Sequence, residues 1–157
     1  MKSQAAQSTS EIIANLPQDV QLVAVSKYHP AEMIREVYEG SPQRIFAESH
    51  AQELQTKHEV LPKDIQWHFI GHLQRNKVKY IVPYISLIHS VDSSRLLTEI
   101  NKQAISAGVR VDCLLQLHVA QEETKFGFTP QECLEYLETG EWKTMTGVRI
   151  RGMMCMA

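Results

Sequence analysis

The sequence predicts an α/β fold built on a parallel sheet, and two observations carry the prediction. From Leu22 onward, six short apolar strand patterns alternate with helix patterns. Strict alternation of this kind builds a parallel sheet through right-handed crossovers. The helix patterns also carry their own end signals, among them Pro30, Gly40, Gly108, Thr129-Pro130 and Gly140. Those residues mark starts and stops independently of apolar periodicity.

A polar start, Met1 to Gln7, leads into a short amphipathic stretch from Ser10 to Leu16, ended by Pro17. The first strand is Leu22-Val23-Ala24-Val25-Ser26-Lys27. Pro30 then opens a helix with Met33, Ile34, Val37 and Tyr38 on one face, closed by Gly40. Arg44 to Ala47 is the second strand, and Ser49-His50-Ala51-Gln52 after it reads as a capping box. The third strand, Gln66 to Ile70, precedes a short basic helix, Gln74 to Ile81, stopped by Pro83. The fourth, Ile85 to His89, leads through Asp92 to a helix with Leu96, Ile100 and Ala104 at helical spacing and Gly108 as its stop. Val111 to Val119 is the fifth strand. A polar loop then reaches Thr129-Pro130-Gln131-Glu132, which combines an N-cap, a first-turn proline and a boxing glutamate. Gly140 stops that helix, and Val148 to Met153 is the sixth strand.

A chain of 157 residues suits one domain with a sizeable core. Sixteen basic residues against eighteen acidic give −2 with no long block of either sign. That balance offers no electrostatic case for nucleic acid or an anionic membrane. The start lacks the apolar core of a secretory signal, and no apolar run approaches the roughly 20 residues of a membrane span. Cys113, Cys133 and Cys155 are scattered and odd in number, which reads as reduced thiols in a cytoplasmic protein. A doubly wound open sheet and part of a (β/α)8 barrel both fit the alternation. A Rossmann sheet should follow its first strand with a glycine-rich turn, and Ser26-Lys27-Tyr28-His29-Pro30 is no such turn.

Lys27 closes the first strand, at the sheet end where parallel α/β folds keep their chemistry. An amine there either marks the strand's meeting with water or forms a Schiff base with an aldehyde cofactor. Six of the seven histidines, namely 29, 50, 68, 72, 89 and 118, fall in or just after the C-terminal parts of predicted strands, which would bring them to one mouth. A metal-dependent hydrolase is therefore an alternative. The support for it is thin. His68 and His72 flank a strand and turn rather than a helix, and the glutamate of the helical zinc motif is absent.

Trp67-His68-Phe69-Ile70-Gly71-His72-Leu73-Gln74-Arg75-Asn76-Lys77 is the most distinctive segment. Gly71 permits a sharp turn or a close ligand approach, and the N–H groups near Gln74 are placed to meet an anion. Ser49 needs no more than a capping role, Lys77 and Lys79 read as surface charges, and Met153, Met154 and Met156 as an adaptable apolar patch closer to core than to ligand.

Taken together, Ala24-Val25-Ser26-Lys27, Phe46-Ala47-Glu48-Ser49-His50-Ala51-Gln52-Glu53, Trp67 to Lys77, and Arg151-Gly152-Met153-Met154 resemble the pyridoxal phosphate homeostasis proteins in order and separation. Lys125-Phe126-Gly127-Phe128 looks like that family's Lys-x-Gly segment. The resemblance runs from about residue 10 to the end. It implies a (β/α)8 TIM barrel of the alanine-racemase N-terminal type, present here as about six βα units over residues 1–157 with no second domain. It also implies pyridoxal 5′-phosphate carried as a Schiff base on Lys27, with Ser49 and His68 at the cofactor and no catalytic or metal-binding residue. The family has no established turnover and buffers or delivers the cofactor, so pyridoxal-phosphate-dependent apoenzymes are implied partners. A racemase-like enzyme is the nearer alternative. Racemization, however, needs an acid/base on each face of the substrate carbon, and in racemases the second comes from another domain.

Two departures stand out. The family's usual Phe-Gly-Glu-Asn-Tyr is here Phe46-Ala47-Glu48-Ser49-His50. The family also continues past Arg-Gly-Leu-Met into units that carry its phosphate cradle. The expectations from the sequence are thus a C-terminally shortened barrel with weak cofactor retention. Its first and sixth strands would be open edges prone to self-association.

Overall fold

The computed structural model describes residues 1–119 and 126–156. Helix α1 (Gln4–Asn15) starts earlier than its apolar pattern suggests, because the Ser3 side chain caps it by accepting from the Ala6 N–H at 3.1 Å. Strand β1 is only Ala24–Val25. The expected strand shortens because Ser26-Lys27-Tyr28-His29 is a turn, closed by the His29 N–H donating to the Ser26 carbonyl at 3.1 Å. Helix α2 (Ala31–Gly40) follows, with Ile34 and Val37 buried and Pro30 at its N-cap. Gly40 is not a left-handed stop. It is the last helical residue, and a Cβ there would lie 2.6 Å from the Ala6 Cβ, so glycine lets α1 and α2 approach.

Strand β2 (Ile45–Glu48) is buried throughout and leads to α3 (Ala51–Val60). The expected capping box at Ser49 does not form: His50 is the N-cap and makes no side-chain capping bond. Strand β3 (Gln66–Phe69) leads to a basic segment that divides in two, a 3-10 turn at Arg75–Lys77 and then α4 (Val78–Ile81). Strand β4 (Ile85–Val91) precedes α5 (Ser94–Ala107), capped by Ser93 and closed by left-handed Gly108. Strand β5 (Val111–Gln116) precedes α6 (Pro130–Thr139), where the Thr129–Glu132 capping box forms in full and Gly140 adopts the left-handed stop. A further 3-10 turn, Glu141–Thr144, leads to β6 (Val148–Met154).

All neighbouring strands pair parallel, in the order β1-β2-β3-β4-β5-β6. That order separates the two architectures left open by the sequence. A doubly wound sheet reverses its strand order at a switch point, and none occurs here. Right-handed crossovers between successive neighbours keep every helix on one face and leave the other to curve inward as an arc of a barrel. Register assigns the faces. Phe46, Trp67, Ile88, Cys113 and Leu115 point to the helix layer and form the core with Leu54, Ile81, Leu97 and Ile100. Val25, Ala47, His68 and Leu87 share the opposite, concave face. Among the described residues, no helix is long and apolar enough to cross a membrane.

Candidate functional site

A cleft of about 850 Å³ opens where the strands end, lined by residues that follow β1, β2, β3 and β6 together with His89 of β4. Lys27 stands on its wall, half-buried, two positions beyond Val25. Its alternation with Val25 and Ala47 puts it on the concave side, while Ser26 and Glu48 fall on the helix side. Apolar wall is supplied by Phe69, Ile70, Leu73, Met154 and Met156, and polar groups by Ser49, Gln52, Gln74 and Lys77.

The turn that carries Lys27 is anchored from behind. Lys57 of α3, only 5% exposed, donates to the Ser26 carbonyl at 2.9 Å and to both oxygens of the fully buried Glu48 carboxylate at 3.1 and 2.9 Å. It also pairs with Glu53 at 2.8 Å, and the second contact of Glu53 is the Tyr28 N–H, again at 2.8 Å. The Ser26 hydroxyl donates to Glu48 as well. Burial pushes the Glu48 carboxyl above the usual range, against the hydrogen bonds from Ser26 and Lys57. Burial acts the same way on Glu53, but there the bonds from Lys57 and the Tyr28 N–H prevail and hold its carboxyl low. Both nearby carboxylates thus pair with Lys57 rather than with Lys27.

Of the three residues singled out in the sequence, the structure brings Lys27 and Ser49 to the cleft. His68 is buried one step behind it. Its Nδ1 lies 2.9 Å from Nε2 of His89, and His89 is the imidazole that meets the cleft. Burial, with His89 adding to it, pulls the His68 pKa down to about 4, and burial lowers His89 too. Both are therefore neutral near pH 7, one donating to the other. The histidines converge only in part. His50, His72 and His89 reach the cleft, while His29 lies in a separate groove with Tyr28 and Glu53. His72 is also tied to Asp92 at 3.2 Å and stacked on Phe126 at 4.1 Å. Among the described residues, no three His, Cys, Asp or Glu side chains converge to hold a metal.

The cleft also takes in residues that the sequence placed elsewhere. Lys77 is a wall residue, and Met154 and Met156 border the opening instead of joining the core. Cys155 lines it too, whereas Cys113 is buried with its thiol pushed up to about 12 by desolvation, which leaves it inert. Gly71 has a packing reason. A Cβ there would lie 2.8 Å from both Cα and Cβ of Ser49 and would strike the Ser49 carbonyl, so the loops after β2 and β3 touch at this point. Lys125, from the segment resembling Lys-x-Gly, lies outside the described residues.

Comparison with known proteins identifies the family of the fold. Residues 3–157 match the family described as "Alanine racemase, N-terminal domain". The pyridoxal phosphate homeostasis protein of Aquifex aeolicus (strain VF5) is 40% identical over 135 residues, which are 85% of this chain and 58% of that protein. Its counterpart from Homo sapiens is 36% identical over 142 residues, 82% of this chain and 51% of that protein. The chain thus spans only a little over half the length of these relatives. The structure of PipY from Synechococcus elongatus PCC7942 with PLP bound superposes with a TM-score of 0.88 at 36% identity, covering 98% of this chain and 71% of that one. Alanine racemase from E. faecalis, at 15% identity and a TM-score of 0.75, shares the fold. The chain belongs to the alanine racemase N-terminal domain family, among its pyridoxal phosphate homeostasis proteins.

Proposed function

We propose that this chain binds pyridoxal 5′-phosphate, carries it as a Schiff base on Lys27, and serves the intracellular balance of that cofactor by releasing it to enzymes that require it. The observation that carries the reading is the situation of Lys27. Its amine stands on the concave side at the strand ends, on a cleft wall, with the neighbouring carboxylates engaged by Lys57. A lysine amine at such a strand-end cleft is the group that condenses with an aldehyde to form a Schiff base.

The residues present fit the cofactor. Phe69, Ile70, Leu73, Met154 and Met156 offer apolar contact to an aromatic ring, and the Ser49 hydroxyl and the His89 imidazole, braced by His68, offer polar contact. When bound, the cofactor supplies an aldehyde that condenses with amines. The protein's own part is to present Lys27, shield the linkage and leave it reversible. Lys77, the cation besides Lys27 on the described wall, offers a charge to the phosphate. The unpaired thiols support a reducing, cytoplasmic setting.

Incubation with pyridoxal 5′-phosphate followed by borohydride reduction and peptide mass spectrometry tests the assignment. The expected product is one pyridoxyl group on the Lys27 peptide, preceded by absorbance near ~420 nm. Both should disappear in Lys27→Ala. Equal labelling of many lysines, unchanged in Lys27→Ala, would overturn it.

A further inference from the structure

We propose that Glu53 and Lys57 are positioning residues for Lys27, acting as a two-point clamp on the peptide groups at either side of it. The inference rests on Lys27 being the cofactor's attachment point and adds what holds that point in place.

Lys27 and Tyr28 are the central residues of the turn from Ser26 to His29. In such a turn a positive φ at the second central residue ordinarily calls for glycine. Tyr28 occupies that position with φ at 66°, and it is the only non-glycine residue with positive φ among the described residues. A left-handed conformation at a bulky residue is strained and persists only where the surroundings impose it. The surroundings here are specific. Lys57 holds the carbonyl just before Lys27, and Glu53 holds the N–H just after it. The two clamping side chains are one helical turn apart on α3 and are salt-bridged to each other at 2.8 Å. Glu48 then fixes Lys57 from the strand next to β1.

The geometry has a direct consequence. The direction in which Lys27 leaves the backbone is set by the orientation of its two flanking peptide groups, and both are tied to the same helix. Binding a small aldehyde to a swinging lysine costs ordering entropy that a fixed turn has already met. A freely exposed ion pair would have no such role, but here Lys57 is buried, Glu53 is only partly exposed, and their hydrogen bonds end on main-chain groups of the turn.

The test combines exchange and trapping. In wild type the Tyr28 amide should exchange slowly by NMR, and in Glu53→Ala it should exchange many-fold faster. Cofactor trapped on Lys27 by borohydride at limiting concentration should fall about tenfold in Glu53→Ala while the unliganded protein stays folded. Adding Tyr28→Gly to Glu53→Ala should recover most of that loss, because glycine adopts the turn without a clamp. General destabilisation would not be repaired by a second glycine. If Glu53→Ala fails to fold, Glu53→Met keeps much of the volume without an oxygen acceptor and is read the same way. A folded variant with unchanged Tyr28 exchange, or with wild-type trapping on Lys27, overturns the clamp. Wild type that traps nothing on Lys27 defeats the cofactor assignment instead, and Tyr28 exchange still decides whether the clamp exists.

Discussion

Two imidazoles packed at 2.9 Å inside the concave face have a cost that depends on pH. His68 is 6% exposed and binds its proton only near pH 4, well below the ordinary 6.5. The unfolded chain therefore takes up a proton between these values and the folded chain does not. The unfolded state binding more protons means that stability falls as pH falls through this window. Each unit of pH below about 6.5 should cost about 1.4 kcal/mol from this residue, near 3 kcal/mol in all by pH 4. His89 shifts the same way and adds to the slope. Urea unfolding between pH 7 and pH 4 measures it, and His68→Asn should flatten the curve by about one proton. Parallel curves for the variant and wild type would remove His68 as the cause. The Glu48–Lys57 pair behaves differently. Its partners have lost their water, so the pair adds little net stability, yet removing one side would strand the other at a cost of about 3–5 kcal/mol.

Elements that depend on local chemistry are legible in the sequence, and those that depend on a distant partner are not. The Thr129–Glu132 box and the Gly140 stop need only their own neighbours, and both form. Ser49 carries the same kind of cue but is not a cap. The β2 pairing instead sends it to the cleft wall beside Gly71. The clamp was hidden for a related reason. Glu53 and Lys57 at helical spacing look like an exposed pair until Glu48 and the Ser26 turn arrive from other elements. Lys77, Met154 and Met156 join the cleft through sheet curvature, which no short-range pattern encodes. The contact between the loops after β2 and β3 gives a test at this scale. Gly71→Ala must push Ser49 away, because the added methyl would meet Ser49 backbone atoms that cannot rotate aside. Overpacking of this kind costs about 1–3 kcal/mol. Cofactor trapping on Lys27 should fall together with the melting temperature, and a variant as stable as wild type would show that the loops have room.

At the scale of the whole molecule the sheet has two ends. β1 and β6 each pair with one neighbour among the described residues, and the strand order does not bring them together. The two edges differ in what they offer. β1 is two residues long and presents few free backbone groups. β6 is seven residues long, and every second side chain along it is exposed, so it is the better template for another strand. Its concave side is partly protected by charge, since Arg149 and Arg151 both bind Asp112 of β5 at 3.0 Å and a charged edge resists further pairing. These charges sit at the N-terminal half of β6, whereas Met153 and Met154 occupy the end beside the cleft. We therefore propose weak self-association through β6, seeded at its methionine end. Sedimentation velocity over a wide concentration range should show a reversible shift to larger species, little weakened by salt because apolar and backbone contacts carry it. Met153→Lys extends the charged stretch along the edge and should suppress the shift while leaving the melting temperature nearly unchanged, because Met153 is already 54% exposed. A chain that remains monomeric at every concentration would mean that the edge is adequately guarded by Arg149, Arg151 and Asp112 alone.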